Sequence, residues 1–259
     1  MRVTYHEGST PLHRLNPITK LVILLAFCLL AIFGPGLQVQ GAGLVLSLLL
    51  LLSSGAAYAG IRGVRSLIFI CLILFLIQAL FVKTGRPLAG FEESFLGVNV
   101  RFVLTSGGLA AGARISMRLL TIIFSSLIFV ITTDPARLAY SLMQAGVPYR
   151  YGFMLVLALR FIPVFQSEAS TVRRAQVARG LRVDSAGPLG LLRLARYTFT
   201  PLLVSALSRV ETISSSMDAR GFGITGSRTY LRDSDFSILD WITSISAVAL
   251  LFIGLVVTT

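Results

Sequence analysis

Two segments of this sequence end in the same three residues, and the central one is an arginine that can bind an acidic group. Each segment follows a Phe-x-Pro sequence, at 161–163 and at 199–201, and continues with helical periodicity. They close in Ala-Arg-Gly triplets, which are Ala178, Arg179, Gly180 and Ala219, Arg220, Gly221. A guanidinium presents its N–H donors in a planar fork that matches a carboxylate. Two such endings favour a function for both arginines.

Helix capping is the structural alternative for each triplet. A glycine directly after the last helical turn is the usual left-handed C-cap, and an arginine before it meets the negative end of the helix dipole. Arginine is abundant in this chain, so one triplet can arise by chance. The recurrence of the triplet after a second amphipathic helix makes a purely capping role the weaker interpretation.

The second segment also carries an apolar stripe. Its members recur at spacings of three and four residues: Leu203, Ala206, Val210, Ile213 and Met217. This spacing places them on one face of a helix. An apolar face of this size outside the membrane needs a partner or a neighbouring helix to cover it.

Arg114 and Arg118 lie one helical turn apart within an apolar segment. An arginine inside a membrane is costly unless it is paired or hydrated, so the two form a functional hypothesis by default. The alternative, which we favour, is that they face the interior of a helix bundle and fix its packing by bonding to carbonyls. On that interpretation they are structural and do not line a transport path.

The motifs of common catalytic and cofactor sites are missing. The sequence has no Gly-x-x-x-x-Gly-Lys-Ser/Thr phosphate loop, no Gly-x-Ser-x-Gly, no His-Glu-x-x-His and no Cys-x-x-Cys. His6, Glu7 and His13 are candidates for a metal group, but a cap on the first apolar helix explains them better. Cys28 and Cys71 lie in apolar segments, which does not indicate a disulfide. We expect no catalytic residue, no metal site and no cofactor bound by this chain.

Composition predicts a membrane protein. Of the 259 residues, 55% are apolar and only 13% are charged, and the mean hydropathy is +0.83. A soluble domain of this length cannot hide so much apolar surface, so the bilayer is the expected surrounding. The formal charge of +12 comes almost wholly from arginine. In a membrane protein this indicates cytoplasmic loops, and it does not point to nucleic acid.

The apolar runs predict an all-α polytopic membrane protein with about five transmembrane helices and a cytoplasmic helical region inserted before the last one. The expected spans are 18–33, 41–61, 64–82, 102–131 and 238–257. The chain then divides into a polar leader (1–17), four transmembrane helices (18–133), a coupling-helix region (134–235) and the last transmembrane helix (236–259).

Arginine-rich connections orient these spans, because positive loops stay cytoplasmic. Arg62 and Arg65 stand between the second and third spans, and thirteen further arginines lie between Asp134 and Asp235. The N-terminus is therefore predicted to be cytoplasmic and the C-terminus outside. The segments with the triplets are expected to begin at Pro163 and Pro201, although a helix starting at Pro148 can also run through Pro163 with a kink.

Several stretches in chain order resemble the transmembrane T component of energy-coupling factor transporters, which import vitamins, cobalt and nickel. The resemblance is carried by 8–17 with Lys20, by 114–120 leading to 132–135, by 158–163 and by the two triplets. It covers nearly the whole chain, and the triplets are its most specific part. Glu7 stands where proline is often expected, a departure that does not touch the triplets.

The resemblance implies five membrane helices and a cytoplasmic region of long coupling helices, in a multi-pass protein of the prokaryotic inner membrane. By the same resemblance, Arg179 and Arg220 dock into a pair of ATP-binding cassette ATPases. The apolar faces hold a small membrane subunit, the S component, that binds the substrate. ATP and magnesium are then bound by the ATPases and not by this chain.

Two other functions compete with this interpretation. An intramembrane enzyme would use Arg114, Arg118 and the leader histidines, but it lacks an evident nucleophile or base. A self-sufficient secondary transporter would need paired intramembrane carboxylates or visible repeats of the membrane region, and the sequence has neither.

Overall fold

The computed structural model describes residues 11–34, 36–54, 57–82, 84–95, 98–180, 188–223 and 236–256. The elements in chain order are α1 (Pro11–Arg14), α2 (Pro17–Phe33), α3 (Leu37–Ser53), α4 (Ala57–Phe81), β1 (Pro87–Phe95), β2 (Val98–Thr105), α5 (Ser106–Thr132), α6 (Pro135–Gln144), α7 (Tyr149–Ala178), α8 (Pro188–Ala219) and α9 (Ile238–Val256). The chain forms two compact units, one of Met1–Leu142 with Ser234–Thr259 and the other of Met143–Asp233.

In the first unit, α2 and α3 form an antiparallel pair. The Asn16 side chain caps α2 by accepting from the Ile18 N–H at 3.0 Å. At the other end of α2, the buried Gln40 of α3 donates through Nε2 to the carbonyls of Ala31 (2.9 Å) and Gly34 (2.7 Å). Terminal carbonyls of a helix have no partner within the helix, so Gln40 joins α3 to the end of α2.

Small residues bring α4 and α5 together as a second antiparallel pair. A Cβ added at Gly108 would lie 2.7 Å from the carbonyl oxygens of Ala79 and Val82, and one added at Gly112 would lie 2.8 Å from the Phe75 oxygen. Ser116 Oγ donates to the Cys71 carbonyl at 3.2 Å. Small side chains at a helix interface permit this close approach, which is a common way of packing helices in membranes.

The core of this unit lies between α3 and α5. Leu51 packs there with Phe124, Ile128 and Ile131, all of them buried. α9 packs on α2, and a hydrogen bond from the Asn16 N–H to Asp240 Oδ1 at 2.8 Å joins the two helices.

The prediction of an all-α polytopic membrane protein is confirmed. By length and composition, α5, α7 and α9 can each cross a membrane, and α2, α3 and Ile68–Phe81 of α4 are shorter apolar helices. The number of spans remains a prediction, as do the predicted domain boundaries. α7, assigned from the sequence to the cytoplasmic region, is as long and apolar as a spanning helix needs to be.

Two details differ from the expectation. α3 ends at Ser53 and α4 begins at Ala57, so Arg62 and Arg65, predicted to lie between the second and third spans, are within the helical backbone of α4. The polar connection before α5 contains an antiparallel β-hairpin, β1–β2, whose backbone register runs from Phe95 opposite Val98 to Pro87 opposite Thr105.

Candidate functional site

The second unit is built on α7 and α8, which pack antiparallel to each other. Contacts at three levels along their length fix this arrangement. Gln176 of α7 meets Tyr197 of α8 near one end, and Glu168 meets Ser205 and Arg209 in the middle. Phe153 packs on Phe222, just beyond α8, near the other end.

A proline creates the contact nearest the first triplet. Pro201 lies inside α8 and has no N–H to donate to the carbonyl four residues earlier, which belongs to Tyr197. Gln176 Nε2 donates to that carbonyl at 2.8 Å, and Gln176 Oε1 accepts from Thr198 Oγ1 at 3.4 Å. The carbonyl oxygen that the proline leaves without a helical donor thus accepts a hydrogen bond that joins α7 to α8.

The expectation that the two segments begin at Pro163 and Pro201 is wrong. Both prolines are internal, because α7 runs without a break from Tyr149 and α8 from Pro188. The alternative of a helix that continues from Pro148 through Pro163 is confirmed.

The middle contact is ionic. Glu168 pairs with Arg209 and also accepts from Ser205 Oγ at 3.1 Å. Ser205 and Arg209 are one turn apart on α8, so one carboxylate holds two successive positions of the helix. The pair is part-exposed, so we expect it to align the helices more than to stabilise them.

Aromatic rings form the third contact. The ring centroid of Phe222 lies 4.9 Å from that of Phe153 and 5.9 Å from that of Tyr149. Tyr149 and Phe153 themselves stack at 5.7 Å. Spacings of this kind are favourable for aromatic pairs. The cluster holds the segment just after the second triplet beside the first turn of α7.

The first triplet ends α7 with a left-handed glycine. The Arg179 N–H donates to the carbonyls of Ala175 and Gln176, both at 3.1 Å, and the Gly180 N–H donates to Val177 at 2.9 Å. Gly180 has φ of +86°, and a Cβ added there would meet open space. The backbone alone forms the cap, and the exposed Arg179 side chain takes no part in it.

The second triplet ends α8 in the same way. Gly221 has φ of +68°. The Phe222 N–H reaches back to the Met217 carbonyl at 3.0 Å, and the Gly221 N–H donates to Asp218 at 3.0 Å. This six-to-one bond with a left-handed glycine is the pattern of a Schellman cap. Arg220 is exposed.

The two arginines therefore lie at opposite ends of the helix pair. Arg179 follows the end of α7, whereas Arg220 lies beside the beginning of α7 through the Phe222 cluster. At 1.5 Å per residue, the length of α7 between Phe153 and Arg179 is about 40 Å. Within the described part of the chain, neither guanidinium makes a hydrogen bond or an ion pair. The arrangement presents two exposed, unpaired cations far apart on one pair of helices.

The predicted apolar stripe is divided by the structure. Leu203 and Val210 are exposed, whereas Ala206, Ile213 and Met217 are partly buried. A second exposed row lies beside it on α8 and was missed from the sequence: Phe199, Val204 and Leu207. The spacing of Phe199, Leu203, Leu207 and Val210 is itself helical and was the available signal. We call these five exposed residues, Phe199, Leu203, Val204, Leu207 and Val210, the α8 apolar face.

Arg114 and Arg118 are on α5, outside this unit. Both are partly buried, and the Nε of each is buried without a hydrogen-bond partner. The expected bonds from these guanidiniums to backbone carbonyls do not occur in the described residues. His6 and Glu7 of the leader lie outside the described residues, and the described residues contain no His, Cys, Asp and Glu group suited to a metal ion.

Comparison with known proteins gives one family. A family model described as CbiQ, cobalt transport protein, matches residues 8–231. The energy-coupling factor transporter transmembrane protein EcfT of Listeria innocua is 29% identical over 237 residues, which is 88% of this chain and 86% of the relative. EcfT of Streptococcus equi is 29% identical over 255 residues, covering 95% of this chain and 92% of the relative. EcfT of Bacillus subtilis is 28% identical, with 88% and 86% coverage.

Proposed function

The chain belongs to the CbiQ family, the transmembrane T components of energy-coupling factor transporters, and from this premise we propose that α7 and α8 are its coupling helices. They transmit motion from two ATP-binding cassette ATPases to a substrate-binding membrane subunit. One observation carries the proposal: two exposed, unpaired arginines end the two helices at opposite ends of one antiparallel pair.

Each arginine suits a carboxylate-lined groove on one ATPase. A guanidinium fork forms paired, charge-assisted hydrogen bonds that are stronger than neutral ones. The left-handed glycine caps fix where each arginine leaves the helix, and the free side chain can then adapt to the groove. A separation of about 40 Å suits two subunits side by side better than two sites on one small domain.

The three contacts between α7 and α8 explain how a displacement of the end that carries Arg179 or Arg220 would be transmitted to the rest of the helix pair. The Gln176–Tyr197 bond, the Glu168–Arg209 ion pair and the aromatic cluster tie the helices near both ends and in the middle. A helix pair tied at three levels moves as a body when the ATPases change their separation. ATP hydrolysis is performed by the ATPases, with ATP and magnesium bound there.

The α8 apolar face is the proposed seat of the S component. Its residues project from a helix whose opposite side is held by Glu168 through Ser205 and Arg209. Phe199, Val204, Leu207 and Val210 are each more than half exposed, at 65%, 63%, 62% and 59%. A contiguous exposed patch of this kind marks a surface that binds another protein or a membrane. The cargo, a vitamin or a transition metal ion, is bound by the S component.

Arginine distribution places the N-terminus and the coupling helices on the cytoplasmic side of a prokaryotic inner membrane, with the C-terminus outside. This orientation brings the two arginine tips to the compartment that contains ATP.

The test is a charge reversal at both tips, R179E/R220E, in cells that also produce the ATPases and the S component. We expect the ATPases to be lost on affinity purification and ATP-dependent uptake to be abolished. The matched control is R160E, compared with R179E alone, because it makes the same charge change at an exposed position near the middle of α7. An R179E/R220E protein with the full complex and full uptake would contradict the proposal.

A further inference from the structure

We infer that Arg114 and Arg118 form a binding site for the headgroup phosphate of an anionic phospholipid, at the end of the first unit where α2 turns into α3. Both side chains are cations one turn apart on α5, and both have a buried Nε without a partner. No Asp or Glu occurs within 18–82 or within 106–132, so the helices around them offer no counter-charge.

The level of the two arginines follows from how α3 and α5 pack. A Cβ added at Gly43 would lie 3.8 Å from Thr121 Cγ2, and further along both helices Leu51 packs with Ile128. The two helices therefore run in the same direction, with an offset of 77 or 78 residues. This register puts Arg118 level with Gln40 and Arg114 level with Gly36, in the turn between α2 and α3.

α4 and α5 continue beyond that turn. Eight residues of α5, from Ser106 to Ala113, precede Arg114, which is about 12 Å of helix. They stay packed on α4, with Gly108 against the carbonyls of Ala79 and Val82. α4 and α5 therefore project past the α2–α3 turn and form a step in the bundle. Arg114 lies on α5 at the level of this turn.

Gln40 adds an acceptor at the same level. Its Nε2 is used by the carbonyls of Ala31 and Gly34, whereas its buried Oε1 has no partner. An oxygen in this position can accept a hydrogen bond from a headgroup hydroxyl, such as those of a glycerol headgroup. A phosphate diester would accept from the two guanidiniums, which match it geometrically.

The end of a membrane helix hairpin lies where the lipid phosphates lie, at the boundary of the hydrocarbon core. Two cations one turn apart on a helix repel each other. A single bridging phosphate removes this repulsion and satisfies the orphaned donors. The same chemistry would suit a free phosphate ion, so the experiment has to separate the two sources.

The experiment is native mass spectrometry of the transporter complex in mild detergent, titrated with dioleoyl-phosphatidylglycerol, dioleoyl-phosphatidylcholine or inorganic phosphate. We expect phosphatidylglycerol to bind the unmodified protein more tightly than phosphatidylcholine, and inorganic phosphate not to displace it. Each arginine near the membrane surface is expected to change the affinity about fivefold, so R114Q/R118Q should weaken binding about 25-fold. R160Q/R173Q, which removes two exposed arginines elsewhere, should bind as the unmodified protein does.

R114K/R118K is the alternative test variant if R114Q/R118Q does not fold. It keeps both charges and loses the forks, so we expect an affinity between those of the unmodified and the glutamine proteins. Equal phosphatidylglycerol binding by the lysine or glutamine variant and the unmodified protein would overturn the inference. Displacement of the lipid by inorganic phosphate would also overturn it, in favour of a soluble anion.

Discussion

Gln176 donates its side-chain N–H to the carbonyl oxygen of Tyr197, at 2.8 Å, and this is the oxygen that Pro201 leaves without its helical donor. The proline therefore does more than bend α8. It frees a backbone acceptor on the face that meets α7, and the amide of a facing helix takes it.

This pairing predicts that Gln176 and Pro201 are coupled in stability. Q176A should lower the free energy of unfolding by about 0.5 to 1.5 kcal/mol, the usual worth of such a bond. P201A restores a backbone N–H that can serve the Tyr197 carbonyl, so in that background the loss caused by Q176A should be smaller. Thermal unfolding of the four proteins in detergent forms the cycle. Equal losses in both backgrounds would show that the proline is not the reason for the contact.

A graded series separates docking from capping at Arg179 and Arg220. Removing one partner of a buried charge pair typically costs about 2–5 kcal/mol, because a carboxylate stays unpaired. Single alanine variants should therefore weaken ATPase retention, and the double variant should do so far more. Lysine should rescue in part, and glutamate should be worse than alanine.

The measurement for this series is the fraction of ATPase retained on affinity purification, together with uptake. If the arginines only cap their helices, each change should cost no more than about 1 kcal/mol and act on helix stability alone. Loss of thermal stability with unchanged ATPase retention would decide for capping.

Binding of the S component by the α8 apolar face should be separable from binding of the ATPases by Arg179 and Arg220. F199S/L207S removes two large exposed apolar side chains, at 65% and 62% exposure. We expect loss of the S component on purification while the ATPases remain, since the change removes apolar surface and leaves both arginines and their glycine caps unaltered. I213S, at a partly buried stripe position, should instead reduce stability. Retention of the S component by F199S/L207S would place its seat elsewhere.

Asp240 is expected to hold α2 and α9 together. Its Oδ1 accepts from the Asn16 N–H at 2.8 Å and its Oδ2 from the Ser237 N–H at 2.9 Å, and the side chain is buried. D240A leaves a buried donor unsatisfied, so we expect a loss of about 1–3 kcal/mol in detergent. D218A, at an exposed position of α8, is the control and should leave the unfolding temperature unchanged.

Orientation can be checked with a reporter that is active only in the cytoplasm. Fused after Thr259, it should be silent, because the arginine distribution puts that end outside. Fused after Arg228, in the arginine-rich region, it should be active. An active reporter at the C-terminus would change the span count to an even number.

The sequence was enough to predict the helical membrane architecture and the left-handed ends at Gly180 and Gly221. Long apolar runs and a glycine after a helical stripe are local signals. The internal prolines were misassigned because proline is also common at the first turn of a helix. The Tyr197 carbonyl that Pro201 leaves without a helical donor is bonded by Gln176 of another helix, and the periodicity of α8 does not show such a contact.

Two local signals were also missed. Apolar and polar residues alternate over 98–102 in β2, but the apolar run from Phe102 was assigned to the fourth predicted span. The Ser-Ser-Gly sequence at 53–55 is a turn signal at the boundary between α3 and α4, but the second predicted span ran through it. The step beside Arg114 needs the register between α3 and α5, which only their packing reveals.

The hydrogen bond between Asn16 and Asp240 joins residues 224 positions apart. Since translation proceeds at about 5–20 residues per second, Asn16 waits roughly 10 to 45 s before its partner is synthesised. During that interval the face of α2 that α9 will cover, with Leu30 beside the future position of Gly254, is open to lipid or to an insertion factor. The first unit is therefore completed only by its last helix, and a nascent chain stalled within α7 or α8 would carry an unfinished bundle.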